Sequence, residues 1–322
     1  MKAELRTEGT AASRVAQRLT ENIASVLAGK REAVELAVTV FLAGGHLLVE
    51  DVPGVGKTTL ARALAKSVGL GYRRLQFTSD LMPADVLGGV VYNQAQNTFD
   101  FRPGPVFTNV LLADEINRTT PKTQSALLEA MGERSVSIDG TTHELDAPFF
   151  VIATQNPSEF YGTYPLPESQ LDRFLVRMKI GYPPKDAERR VLLARRGNDP
   201  VGALEPVLTR EEVLETQRAV DDVRVDAAVI DYLHHIILAT RSAPTIQLGA
   251  STRAAIAFER AVRARALVQG RDFALPDDVK ALAVPALAHR VRIEHAAQDA
   301  GNAAEAAERT LTELVRKVVV PV

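Results

Sequence analysis

Two short stretches of this 322-residue chain carry residue types at spacings that could do chemistry. The first is EDVPGVGKTT, Glu50 to Thr59. Within it Pro53, Gly54, Val55, Gly56, Lys57, Thr58 and Thr59 form a candidate nucleotide-binding loop. Gly54 and Gly56 let the backbone curl so that several N–H groups point inward at an anion, and a helix starting there adds its partial positive charge. Lys57 would reach the β- and γ-phosphates of ATP as a point charge, and the Thr58 hydroxyl would ligate Mg²⁺. The full phosphate-loop pattern has Gly six positions before the Lys; Asp51 stands there instead. The second stretch is Asp114-Glu115, closing the apolar run that starts at Asn109. Asp114 would hold the nucleotide's Mg²⁺ directly or through water, and Glu115 would orient and polarise the attacking water. The pair points to hydrolysis of ATP rather than to binding alone.

Three further residues fit that chemistry. Asn156 follows the apolar run Phe149–Ala153, within reach of a γ-phosphate or water if that strand lies beside the one ending in Asp114. An Asx-turn before Pro157 would serve the same residue locally. Arg173, in QLDRF, either pairs with nearby carbonyls and Asp172 or projects from the protomer's edge into a neighbour's nucleotide, in trans. Arg253 opens a helix, where a cation opposes the dipole, so an anionic ligand nearby would explain it.

These residues require strands that end at one edge and helices that start there. His46–Glu50 reads as a buried strand before the loop, and the run from Thr58 to Lys66 is rich in helix formers. Strands are expected over Tyr72–Phe77, Asn109–Ala113, Phe149–Ala153 and Leu175–Ile180. Helices are expected over Ala12–Leu27, Arg31–Leu42, Ser79–Gly88, Thr120–Met131 and Leu166–Phe174. Two β-hairpins are inserted, at about 90–101 and 134–146, the second around the turn dipeptide Asp139-Gly140. After Pro183-Pro184 every segment reads as helical, from Ala187–Arg196 to Ala303–Val319. The expected organisation is a disordered 1–11, an α/β core over 12–182 and an all-helical second domain over 183–322.

Composition narrows the function. A net charge of -2 leaves no electrostatic footprint for nucleic acid, and the absence of cysteine removes thiolate chemistry. The most apolar run, Ala37 to Val49, is too short to span a bilayer, and no signal-peptide pattern is visible, so a cytoplasmic protein without membrane insertion is expected. His234 and His235 are adjacent on a helix and point apart, which disfavours a nucleotide-independent metal site.

Taken together, the motifs resemble those of AAA+ ATPases: Walker A at Lys57-Thr58, Walker B at Asp114-Glu115, sensor 1 at Asn156, arginine finger at Arg173 and sensor 2 at Arg253. The stretches GGHLLVEDVPGVGKT, LLADEINRTTPKTQSALLEAM, FVIATQNP, LPESQLDRF and GASTRA are similar to motifs of the MoxR family. The resemblance spans about residues 15–290, and the two hairpins match the helix-2 insert and pre-sensor-1 hairpin of its clade. It implies a P-loop core with a parallel 5-1-4-3-2 sheet, a helical lid and a ring of like subunits, typically a hexamer. It also implies chaperone-like remodelling or maturation of a protein complex, often beside a von Willebrand factor A (VWA) domain partner. The alternatives are a magnesium-chelatase ATPase subunit, a nucleic-acid motor of the same clade and a nucleotide-gated module that does not hydrolyse. Tyr92–Phe101 holds no basic residue and Ser135–Leu145 only His143, which disfavours the motor.

Overall fold

The computed structural model describes residues 10–156, 163–194, 199–294 and 300–321. Of the expected disordered 1–11, residues 1–9 lie outside the described ones, whereas Thr10 and Ala11 are ordered: Thr10 caps a helix that starts at Ala11, accepting the Ser13 N–H at 3.2 Å.

Strands β1 (Leu47–Glu50) and β2 (Tyr72–Gln76) are followed by the hairpin β3 (Gly88–Asn93) and β4 (Thr98–Pro103). Next come β5 (Val110–Asp114), the hairpin β6 (Ser135–Ile138) and β7 (Thr141–Glu144), then β8 (Phe150–Gln155) and β9 (Val176–Met178). The helices around them are α1 (Ala11–Ala24), α2 (Arg31–Leu42), α3 (Lys57–Ser67), α4 (Pro83–Leu87), α5 (Pro121–Glu133) and α6 (Glu168–Leu171). Hydrogen bonding orders the main sheet β2-β5-β8-β1-β9, all pairs parallel. Numbered without the hairpins, this is 5-1-4-3-2. The side chains alternate strictly across it. Leu47, Val49, Val110, Leu112, Phe150 and Ile152 join the core under α1–α3, whereas Leu48, Leu111, Ala113, Val151 and Ala153 join a second core under α5. Both faces are thus buried, which is why these strands read as continuous apolar runs.

The chain then continues as α7 (Lys185–Ala194), α8 (Arg210–Ala219), α9 (Ala227–Ser242), α10 (Thr252–Val268), α11 (Pro276–Leu287) and α12 (Ala300–Lys317). Each expected helix is present. The structure adds a short antiparallel pair among them, β10 (Ile246–Leu248) with β11 (Arg292–Ile293), too brief for a period-2 pattern to register in sequence. Pro276 at the first turn of α11 and side-chain caps on α8, α9 and α10 set the starts of these helices.

α2 packs on α10 and α1. Val34, Ala37, Val38, Val40, Phe41 and Leu42 are all buried, so the helix is apolar nearly all round and sits between the sheet and the C-terminal helices. At the other side, α11 packs against β9, and buried Arg177 of β9 reaches Glu308 of α12 at 3.3 Å.

Candidate active site

The expected loop lies at the carboxyl end of β1, where β1 is flanked by β8 and β9. Gly54 and Gly56 hold φ of +85° and +106°, and a Cβ on either would meet nothing within 4 Å. Their use is therefore conformational: only glycine adopts such backbone freely. Gly56 caps α3 without a side chain, so the first-turn N–H groups have no side-chain acceptor and the positive end of the helix is available to an anion. Pro53, Gly54, Gly56, Lys57, Thr58 and Thr59 line a cleft of about 320 Å³ with Asp114, Glu115 and Asn156. Val55 does not; it turns into the core, 7% exposed. Burial pulls the Lys57 ammonium below its ordinary range, against the opposing pull of Asp51, Asp114 and Glu115. Its Nζ donates to the main-chain oxygen of Asp51.

Across the cleft, Thr154 organises the two carboxylates. Its hydroxyl donates to Asp114 Oδ1 at 2.6 Å and accepts the Glu115 N–H at 2.9 Å. Arg74 donates to Asp114 Oδ2 at 2.6 Å, while Gln76 and Arg118 donate to Glu115 Oε2 at 2.7 and 3.1 Å. Glu115 itself sits at φ +57°, a left-handed conformation that a side chain rarely takes and that gathers at functional positions. The residues present fit a nucleotide with Mg²⁺: the uncapped helix N–H groups and Lys57 could take its phosphates, and the Thr58 hydroxyl and Asp114 carboxylate are hard oxygen donors of the kind Mg²⁺ takes. Those residues would hold the ion.

Arg173 and Arg253 are elsewhere. Both line a second cavity, about 230 Å³, with Gly44, Gly45, Arg134 and Arg290. This cavity lies at the amino ends of β1 and β9, opposite the phosphate loop. The four residues of β1 separate the two, about 13 Å at strand rise. Arg253 is 4.0 Å from Asp172, and its side chain is 71% exposed. Arg290 is buried and pairs with Asp172 at 2.9 Å. Burial pushes its guanidinium down to about 10, against the pull of Asp172.

Arg74, Gln76, Thr154, Arg134 and Arg290 were not among the expected site residues. Arg74 and Gln76 alternate on β2, with Gln76 in register with Asp114, so polar residues two apart at a strand end were an available signal. Thr154 lay in view as the last buried residue of β8, but its bonding to both carboxylates depends on the strand order.

Known proteins give the same picture. A model of the ATPase family associated with various cellular activities (AAA) matches residues 46–176, and an AAA lid domain model matches 238–313. YeaC of Bacillus subtilis is 50% identical over 94% of this chain and 93% of its own length. Chaperone MoxR1 of Mycobacterium tuberculosis is 41% identical over 88% of this chain and 78% of its own. A crystal structure of a protein from Cytophaga hutchinsonii superposes with a TM-score of 0.85 at 35% identity, covering 97% of each chain. Fold and site define a AAA+ ATPase module. The chain belongs to the MoxR family within that class.

Proposed function

We propose that this chain hydrolyses ATP at sites shared between neighbouring copies in a ring, and that the cycle remodels a protein client. One observation carries this reading. The phosphate loop and carboxylates lie at one end of the sheet, and the arginines Arg134, Arg173 and Arg253 lie at the other. Each chain presents two half-sites that cannot meet within it, and a head-to-tail contact between copies would join them. Such a heterologous contact closes into a ring when the rotation allows.

In that arrangement Lys57 and the first turn of α3 bind the phosphates, and Thr58 and Asp114 hold Mg²⁺. The ion would neutralise charge on the phosphates. Glu115 accepts a proton from the attacking water, and Asn156 positions that water or the γ-phosphate. Arg173 and Arg253 of the next subunit complete the charge around the leaving phosphates. A core over 12–182 and a helical lid over 183–322 would then be the two bodies whose relative motion the cycle drives.

The client is a protein in this reading. The hairpin β3–β4 exposes Val91, Tyr92 and Phe99, the last 75% exposed, with the Tyr92 and Phe99 rings 5.2 Å apart. The hairpin's one basic residue, Arg102, stands at its base opposite Gly89, and none lies from Gly88 to Phe101, so the tip suits a polypeptide rather than a phosphate backbone. The name of the mycobacterial relative, a chaperone, agrees, and a VWA-domain protein is the partner to seek. A cytoplasmic ring fits, since among the described residues no helix is long and apolar enough to cross a membrane.

Mixing tests the shared site. Lys57→Ala and Arg173→Ala proteins should each be inactive alone, yet an equal mixture should regain about a quarter of the sites, because one interface in four pairs an intact loop with an intact finger. No recovery on mixing would overturn the shared site.

A further inference from the structure

Asp51 occupies the position where the phosphate-loop pattern has Gly, and the structure gives its side chain a task that Gly could not perform. The residue is 8% exposed. Its Oδ2 accepts two successive backbone N–H groups, Ile180 at 2.7 Å and Gly181 at 2.6 Å. Its Oδ1 accepts the Val52 N–H at 2.8 Å. Hydrogen bonds to a charged acceptor are about twice as strong as neutral ones, so the carboxylate is a firm tie across the sheet end.

Ile180 and Gly181 belong to the short segment that leaves β9 for the C-terminal helices. Gly181 has φ +69°, a left-handed bend open to glycine. Lys30 holds the same segment from the other side, donating to the Ile180 oxygen at 2.8 Å and to the Tyr182 oxygen. The residue before Asp51 makes a parallel connection: Glu50 pairs with buried Arg177 at 3.4 Å, and Arg177 pairs with Glu308 of α12. Two consecutive carboxylates thus fasten the entry of the phosphate loop to both ends of the C-terminal helical region.

At its main-chain oxygen, Asp51 also accepts Lys57 Nζ. The ammonium has three donors, so a lysine that also takes a phosphate redistributes its bonding at that oxygen. The peptide that accepts the ammonium carries the carboxylate that holds the Ile180–Gly181 segment, so the two contacts share one residue.

We propose that Asp51 is a positioning residue that couples phosphate binding at Lys57 to the orientation of the Ile180–Gly181 hinge, and through it to the C-terminal helices. The proposal rests on the nucleotide reading of the cleft. The side chain touches neither phosphate nor metal; it acts through the hinge.

Hydrogen–deuterium exchange of the full chain, with and without Mg²⁺ and a non-hydrolysable ATP analogue, tests this beside steady-state ATP turnover. Asp51→Gly restores the loop pattern and removes all three side-chain bonds. Asp51→Asn keeps the shape and one acceptor oxygen, and serves where the glycine variant fails to fold. In the wild type the analogue should change exchange over both 51–59 and 179–182. In Asp51→Gly the loop should still respond, with nucleotide affinity within about threefold, while 179–182 becomes insensitive to the analogue. Turnover should fall about tenfold in kcat with little change in KM, and Asn should lie between Gly and the wild type. A hinge that responds in the variants as in the wild type, or a kcat unchanged in both, overturns the proposal while leaving the nucleotide site intact. A wild-type loop that shows no response removes the nucleotide reading and the proposal with it.

Discussion

Thr154 donates its hydroxyl hydrogen to Asp114 Oδ1 at 2.6 Å, and the same oxygen accepts the Glu115 N–H at 2.9 Å. One side chain on β8 therefore fixes the rotamer of the residue assigned to the metal and the backbone of the residue assigned to the water. Thr154 is fully buried. Thr154→Val keeps the shape and deletes both bonds. Loss of a partner that orients a metal ligand costs about 10–100-fold in affinity or activity. Turnover should fall in that range, with a raised Mg²⁺ requirement, while nucleotide binding without metal changes little. A Mg²⁺ titration of turnover checks both parts.

Arg74 competes for the same carboxylate from the other side. Its guanidinium lies 2.6 Å from Asp114 Oδ2, with half of the arginine side chain exposed and the carboxylate largely covered. A pair this open to solvent contributes at most about 1 kcal/mol, a few-fold in an equilibrium. Arg74→Ala should accordingly lower the Mg²⁺ concentration for half-maximal turnover by about threefold. An unchanged midpoint would show that Arg74 and the cation do not share Asp114.

The strands and the phosphate loop were legible because they depend on local signals, apolar runs that stop at charged residues and glycines at fixed offsets; the order of the strands followed only from the resemblance to AAA+ ATPases. α2 shows where such signals end. Its periodicity located the helix to the residue, Arg31–Leu42, but an apolar surface nearly all round says only that two layers cover it, not which ones. The same holds for Arg253. Sequence placed it at a helix start, whereas its position beside Arg173 at the amino end of the sheet follows from α10 packing on α2. Asp51 is the reverse case. It was plain in sequence as a departure from the loop pattern, and only the through-space bonds to Ile180 and Gly181 explain why a carboxylate stands there.

His46 makes stability depend on pH. It is 6% exposed, its Nδ1 accepts the Val151 N–H at 3.1 Å, and its Nε2 lies 3.2 Å from the Met131 oxygen. That pattern requires a neutral ring. Burial lowers its pKa from 6.5 to about 4, with Arg134 adding to the effect and the Met131 bond opposing it. The unfolded chain therefore takes up this proton first as pH falls. Stability is intact above about 6.5 and declines toward pH 4, by about 3 kcal/mol from this group at the lower limit. Buried His289, also held well below its ordinary value, adds slope of the same sign. Urea unfolding at pH 7.5, 6, 5 and 4.5 should show the decline, and His46→Gln should be less stable at pH 7.5 but flatter below 6.5. Equal slopes for wild type and variant would place the pH dependence elsewhere.

Gly132 separates stability from activity at the proposed intersubunit site. It lies in the last turn of α5, where a Cβ would stand 1.8 Å from Arg173 Nη1. The obstructing atom is the tip of a flexible side chain, so the guanidinium yields and the helix does not. Replacing a helical Gly by Ala favours the helix by up to about 1 kcal/mol. Gly132→Ala should then unfold at the same or a higher denaturant concentration than the wild type. Displacing a group that must meet a transferring phosphate by about 1 Å can cost about 10²-fold in rate, so turnover should fall steeply in a protein that is no less stable. The defect belongs to the chain that donates the arginine. Mixed with Lys57→Ala protein, Gly132→Ala should recover turnover as Arg173→Ala does, because the lysine variant supplies an undisturbed finger. Full activity in Gly132→Ala would mean that Arg173 works from a position other than the one it takes over Gly132.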